Sequence, residues 1–154
     1  MLNAGERTKL VKKAMHHYNV EDCNCAETVC ITMFGDYYKK PVNTQDITAL
    51  AGGKIGICAA VAVAYMAISR KYGRTTPKQN NHPATVALQK FNDILLQKYG
   101  SLACIKIKSY LESEQQESKS GSDTDEKLCT PLVEDVVKAA LYTVESFTPA
   151  DFKI

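Results

Sequence analysis

The run from Ile55 to Ser69, IGICAAVAVAYMAIS, constrains this chain more than any other segment, because its 15 consecutive residues carry no charge. Over about residues 54–72 apolar side chains fall around the whole helical circumference, and alanine, the best helix former, recurs throughout. A helix apolar on every side has to be surrounded. It falls short of the roughly 20 residues needed to cross a bilayer, so the expectation is no membrane span. Other parts of the same chain must then cover a central buried helix that stops at Arg70, Lys71 and Gly73.

The rest of the chain supplies amphipathic cover. Leu10, Val11, Ala14, Met15 and Tyr18 recur at helical spacing between Glu6 and Tyr18, with Lys9, Lys12 and Lys13 elsewhere on the circumference. Ala26, Val29, Cys30, Met33 and Phe34 predict a second helix over about Asn24 to Tyr37. Asn43 or Thr44 opens a short helix through Ile47 and Leu50, which runs into the glycine turn Gly52, Gly53, Gly56. Asn81-His82-Pro83 opens another that ends at Gly100, a shorter one follows from Leu102 to about Leu111, and Thr130-Pro131 opens the last, closing near Phe147.

Residues 113–127 contain no hydrophobic side chain and are expected to form a mobile polar loop. No alternation of strand type is sustained. The expected fold is therefore all-α, a compact single-domain bundle of about five to six helices spanning 1–154.

Composition removes several function classes. A formal charge of +2 and scattered tyrosines give neither a basic footprint nor a stacking platform, so nucleic acid is not an expected partner. The amino-terminal residues mix charge into every turn and lack the apolar core of a secretion signal, so the expected location is the cytoplasm. Six cysteines in a reducing compartment point to ligation or reactivity more than to structural disulfides.

Four of those cysteines fall where predicted helices begin. Cys25 lies in the first turn of the second helix and Cys58 in the first turns of the central one; Cys104 opens the short helix, and Cys129 directly precedes Thr130-Pro131. A helix amino terminus offers unpaired N–H groups and the positive end of the dipole, which lowers a thiol pKa and stabilises anions. This placement fits a shared anionic site, either an iron-sulfur cluster on four thiolates or a reactive dithiol.

Cys23, which forms C-x-C with Cys25, is a second-tier candidate, and Gly52, Gly53 and Gly56 are candidate backbone donors beside Cys58. Cys30 sits on an apolar stripe and reads as a packed thiol. The adjacent His16 and His17 point about 100 degrees apart on a helix and read as surface residues. The spacing contains no C-x-x-C pair, and no C-x-x-C-H for covalent haem.

Asn24-Cys25-Ala26-Glu27-Thr28-Val29, then Gly52-Gly53 leading to Cys58-Ala59-Ala60, then single cysteines at Cys104 and Cys129 together resemble a redox-active protein family with a C, CGAxxG, C and C pattern. A similar domain accompanies haem modules in split-Soret cytochromes, where it is associated with an iron-sulfur centre. The resemblance implies that Cys25, Cys58, Cys104 and Cys129 are the redox-active or metal-binding residues. In that frame Ala59 and Val63 stand where the pattern carries glycine.

The leading expectation is an iron-sulfur electron-transfer protein served by an unidentified redox partner protein. One alternative is a metal-free thiol-disulfide exchange protein, so whether the chain is an enzyme stays open. Another is a helical interaction domain whose cysteines are inert or hold zinc. The small residues of the central helix would also suit packing against a second copy in a homodimer.

Overall fold

The computed structural model describes residues 1–53, 55–118 and 127–147. Among them the chain is all-α, with no strand and one isolated antiparallel bridge between Ile57 and Ala103. The helices are α1 (Ala4–Asn19), α2 (Cys25–Cys30), which continues as a π-helical segment over Ile31–Tyr37, α3 (Gln45–Thr48), α4 (Ala59–Tyr72), α5 (His82–Tyr99), α6 (Cys104–Ser118) and α7 (Thr130–Ser146). Each of these seven α-helices, including the single-turn α3 of 4 residues, corresponds to a helix outlined in the sequence, so the described count is one above the expected five to six. No helix of the described residues is long and apolar enough to cross a membrane.

The alanine-rich run becomes α4, and α2, α5 and α7 pack around it. Ala60, Val61, Val63, Ala64, Ala67 and Ile68 are all fully buried. Two details differ from the sequence expectation. The helix begins at Ala59 instead of near residue 54, because Gly52, Gly53 and Gly56 adopt positive φ angles of 87°, 77° and 79° and turn the chain before it can start. Its enclosure is also incomplete: Met66 is 50% exposed, while the half-buried Tyr65 reaches across to donate to Asn92 Oδ1 at 2.6 Å.

Capping fixes where α1 and α2 begin. Asn3 accepts from the Glu6 N–H while Glu6 returns a bond to the Asn3 N–H, and Asn24 and Glu27 repeat this reciprocal pair at α2. Thr48 Oγ1 then donates to Glu27 Oε1 at 2.6 Å, which fastens α3 to the start of α2. At the opposite end of the bundle, the buried Glu145 carboxylate of α7 accepts from the Leu2 N–H at 2.8 Å and from the Tyr37 hydroxyl.

The predicted short helix after Leu102 runs on to Ser118, so residues 113–118 are helical where a polar loop was expected. The remainder of that expected loop, 119–126, lies outside the described residues. A wholly polar sequence is compatible with helix when glutamate and glutamine, both good helix formers, supply it. His17 departs from the surface reading too. It is buried, with Nδ1 2.6 Å from Glu21 Oε2 and Nε2 3.4 Å from Asp36 Oδ2.

Small side chains let α4 approach its neighbours closely, so filling that space should be costly. Ala64→Leu is expected to lower the stability of the metal-free protein by about 1–3 kcal/mol, read as a lower urea midpoint. An unchanged midpoint would mean that α4 is looser than drawn.

Candidate functional site

Four chain segments meet at one end of α4. Cys25 is the first residue of α2, held there by the Asn24–Glu27 capping pair. Ala26 and Val29 of α2 are fully buried, as is Ala60 of α4, and this close packing brings the Ala60 N–H to the Cys25 sulfur. The Ala26 N–H and the residue's own amide join it.

Cys58 precedes α4 as its N-cap. Its N–H donates to Leu102 O at 2.9 Å, and the Cys104 N–H donates to Gly56 O at 3.1 Å. These bonds flank the Ile57–Ala103 bridge, which therefore holds the segments carrying Cys58 and Cys104 together, the two cysteines diagonal across it, although they are 46 positions apart in sequence. The N–H groups of Val61 and Ala60, in the first turn of α4, face the Cys58 sulfur.

Cys129 precedes α7 as its N-cap. Thr130 Oγ1, buried beside it, donates to Asn19 Oδ1 at 3.0 Å, and Lys127 Nζ donates to Tyr18 O at 2.9 Å. The start of α7 is thus tied to the end of α1.

Cys25, Cys58, Cys104 and Cys129 all line one cavity of about 260 Å³, together with Tyr18 and Lys108. Cys58 is 2% exposed, and the other three are half-buried. Gly52 lines the same cavity. Gly53 lies against Cys104: a Cβ at this position would come within 3.3 Å of the Cys104 sulfur, and the φ of +77° independently favours glycine.

Gly56 spends its N–H on Gly53 O at 3.2 Å. The amides that meet sulfur come from Cys25, Ala26, Ala60 and Val61 instead. Cys23 and Cys30 do not line the cavity: Cys30 packs in the core, and Cys23 is half-buried with Glu27 and Glu21 nearby. Tyr18, Lys108 and Lys127, the last also at the cavity wall, escaped the sequence reading. Tyr18 occupied an ordinary position on the apolar stripe of α1, and Lys127 ended an otherwise featureless polar run.

The electrostatics reverse one expectation. Helix starts were expected to lower these thiol pKa values, yet burial pushes Cys25 and Cys129 up and raises Cys58 to about 12. Removing a thiolate from water costs more here than the amides return. Charge on neighbouring sulfurs adds to the rise, while Lys108 partly offsets it at Cys129. Burial and the charges of Cys129, Cys25 and Cys58 likewise push the Tyr18 phenol up. The protein's own groups therefore favour neutral thiols at Cys25, Cys58 and Cys129.

This donor set discriminates among guests. Among the described residues no three His, Cys, Asp or Glu side chains are grouped to hold a single metal ion. Zinc bound by thiolates needs sulfurs about 2.3 Å from one centre. Four thiols lining one shared cavity, two of them met by amide donors, are the donor type that thiolate-bound metal groups take.

A family model described as "Putative redox-active protein (C_GCAxxG_C_C)" matches residues 23–142. No curated protein and no solved structure matches the chain. The pattern in that description places a glycine before its second cysteine, which makes Ala59 the pattern's own alanine and moves the departures from Ala59 and Val63 to Ile57 and Ala62. Ile57 packs against the core and forms the bridge to Ala103, an extended position that suits a β-branched residue.

The raised Cys58 value has a consequence for stability. A thiol favoured as neutral in the folded state stabilises folding fully below its ordinary value of 9.0, and that contribution disappears as pH rises toward about 12. Urea midpoints of the metal-free protein are expected to fall across that window, and to fall less steeply in Cys58→Ala. Parallel profiles for the two proteins would rule out Cys58 as a source of the dependence.

Proposed function

Because the chain belongs to the redox-active family with the C, GCAxxG, C and C pattern, we propose that it is an electron carrier that holds an iron-sulfur cluster through Cys25, Cys58, Cys104 and Cys129. The observation that supports this most is the convergence of the starts of α2, α4, α6 and α7, with one thiol each, on a single cavity. Such a cluster, when bound, supplies a one-electron couple whose potential depends on burial and on hydrogen bonds to sulfur.

The remaining work falls to the protein. Cys25, Cys58, Cys104 and Cys129 would be the ligands, each losing its proton on binding, because metal-bound thiols are deprotonated outright. The amides of Ala26, Ala60 and Val61 would then face thiolate sulfur and disperse its charge. Lys108 and Lys127 add positive charge at the cavity wall, and burial of Cys58 keeps water from one side. The electron would arrive from and leave to a separate redox partner protein. Thiols kept for ligation call for a reducing compartment such as the cytoplasm.

Thiol-disulfide exchange is less well supported. Its attacking group must be a thiolate, and burial pushes Cys25, Cys58 and Cys129 the other way.

Protein purified without oxygen and reconstituted with iron and sulfide is expected to hold both elements stoichiometrically and to show visible absorption. Cys25→Ser, Cys58→Ser, Cys104→Ser and Cys129→Ser should each lose most of the iron, whereas Cys23→Ser and Cys30→Ser should retain it. A colourless, iron-free wild-type protein would refute the proposal, and equal iron in all six variants would refute the ligand set.

Assembly should also depend on pH, with iron uptake by metal-free protein becoming less favourable as pH falls, because protons must leave the thiols. Uptake independent of pH from 6 to 9 would contradict protonated thiols in the metal-free protein.

A further inference from the structure

Tyr18 stands near the end of α1, before the first residue of the family match at 23. It is 6% exposed and lines the cysteine cavity. It shares that cavity with Cys25, Cys58, Cys104 and Cys129, and burial together with the charges of Cys129, Cys25 and Cys58 keeps its phenol protonated.

That hydroxyl has no hydrogen-bond partner among the described residues; the bond made at this residue is the one from Lys127 Nζ to its main-chain carbonyl. Other enclosed phenols in the bundle are satisfied. Tyr99, 5% exposed, donates to Asp135 Oδ2 at 2.7 Å, Tyr38 donates to Ala67 O at 2.7 Å and Tyr65 to Asn92 Oδ1 at 2.6 Å.

The Tyr18 ring is buried, but its hydroxyl is not one of the buried unsatisfied groups among the described residues, which are Thr28, Thr32 and Thr143 Oγ1; an O–H that lines a cavity and has no protein acceptor is free to donate to whatever fills that cavity. The ring is held for that purpose. The Lys127 ammonium lies 4.8 Å from its centroid, and the same ammonium donates to Asp22 Oδ1 at 2.7 Å. A neutral phenol adds a side-chain O–H donor to a site whose other donors to sulfur are main-chain amides.

We propose that Tyr18 donates a hydrogen bond to sulfur in the group held by Cys25, Cys58, Cys104 and Cys129 and thereby raises its reduction potential. This rests on the cluster reading above. A donor to sulfur stabilises the more negative, reduced state more than the oxidised one. Tyr18 is therefore a tuning residue and not a ligand.

The test compares reconstituted wild-type protein with Tyr18→Phe, which keeps the ring and removes only the hydroxyl. The variant is expected to bind the same iron and sulfide per chain, to show a midpoint potential shifted to lower values, and, in metal-free form, to melt no lower than wild type. Coincident midpoint potentials would overturn the assignment of Tyr18 while leaving the cluster intact. A metal-free variant that melts well below wild type would overturn it as well, by showing that the hydroxyl already has a structural partner. Absence of iron from the wild-type protein would instead overturn the cluster reading, and this assignment with it.

Discussion

The approach of α2 to the first turn of α4 sets the geometry of everything around the cavity. Ala26 and Ala60 are fully buried there, and their small side chains let the backbone of one helix come close enough for its amides to serve a sulfur on the other. The Ala60 N–H faces both Cys25 and Cys58. Bulkier residues would push the helices apart and leave each sulfur with its own helix only. The antiparallel bridge of Ile57 with Ala103 extends this arrangement to α6, and the Thr130–Asn19 bond fixes α7 against α1.

Two effects compete at each thiol, and the outcome defines the chemistry. Amide donors and lysine favour the anion, while burial and neighbouring sulfurs disfavour it. Burial wins at Cys25, Cys58 and Cys129. Such a pocket is a poor place for a free nucleophile, whereas the proposed metal-containing group would remove the protons and convert crowded thiols into ligands. The amides that burial outweighs would then face full charge on sulfur. The Tyr18 hydroxyl, which lines the cavity without a protein acceptor among the described residues, is a donor available to the same group.

Much of the bundle was legible because helical order is written locally. The apolar stripe of α7 from Leu132 to Val144, the proline openings at Pro83 and Pro131, and the uncharged run of α4 each depend on residues a few positions apart. Errors arose where glycine geometry or long-range packing intervened. Three positive-φ glycines delayed α4 until Ala59, and packing against Asp36 took His17 out of solvent. The extent of α6 through 113–118 was missed because an apolar stripe was the criterion, and a helix of glutamate, glutamine and serine has none.

The sequence by itself determined that the chain would be helical, that its alanine-rich segment would lie at the centre, and that Cys25, Cys58, Cys104 and Cys129 would sit at helix starts, since each follows from short-range periodicity and capping chemistry. Only the tertiary structure decided that these four starts point at one cavity while Cys23 and Cys30 do not, that burial would override the helix dipole, and that Tyr18 and Lys108 would join them. Those outcomes depend on how far each group is removed from water and on which distant segments it meets, quantities that no window of neighbouring residues contains.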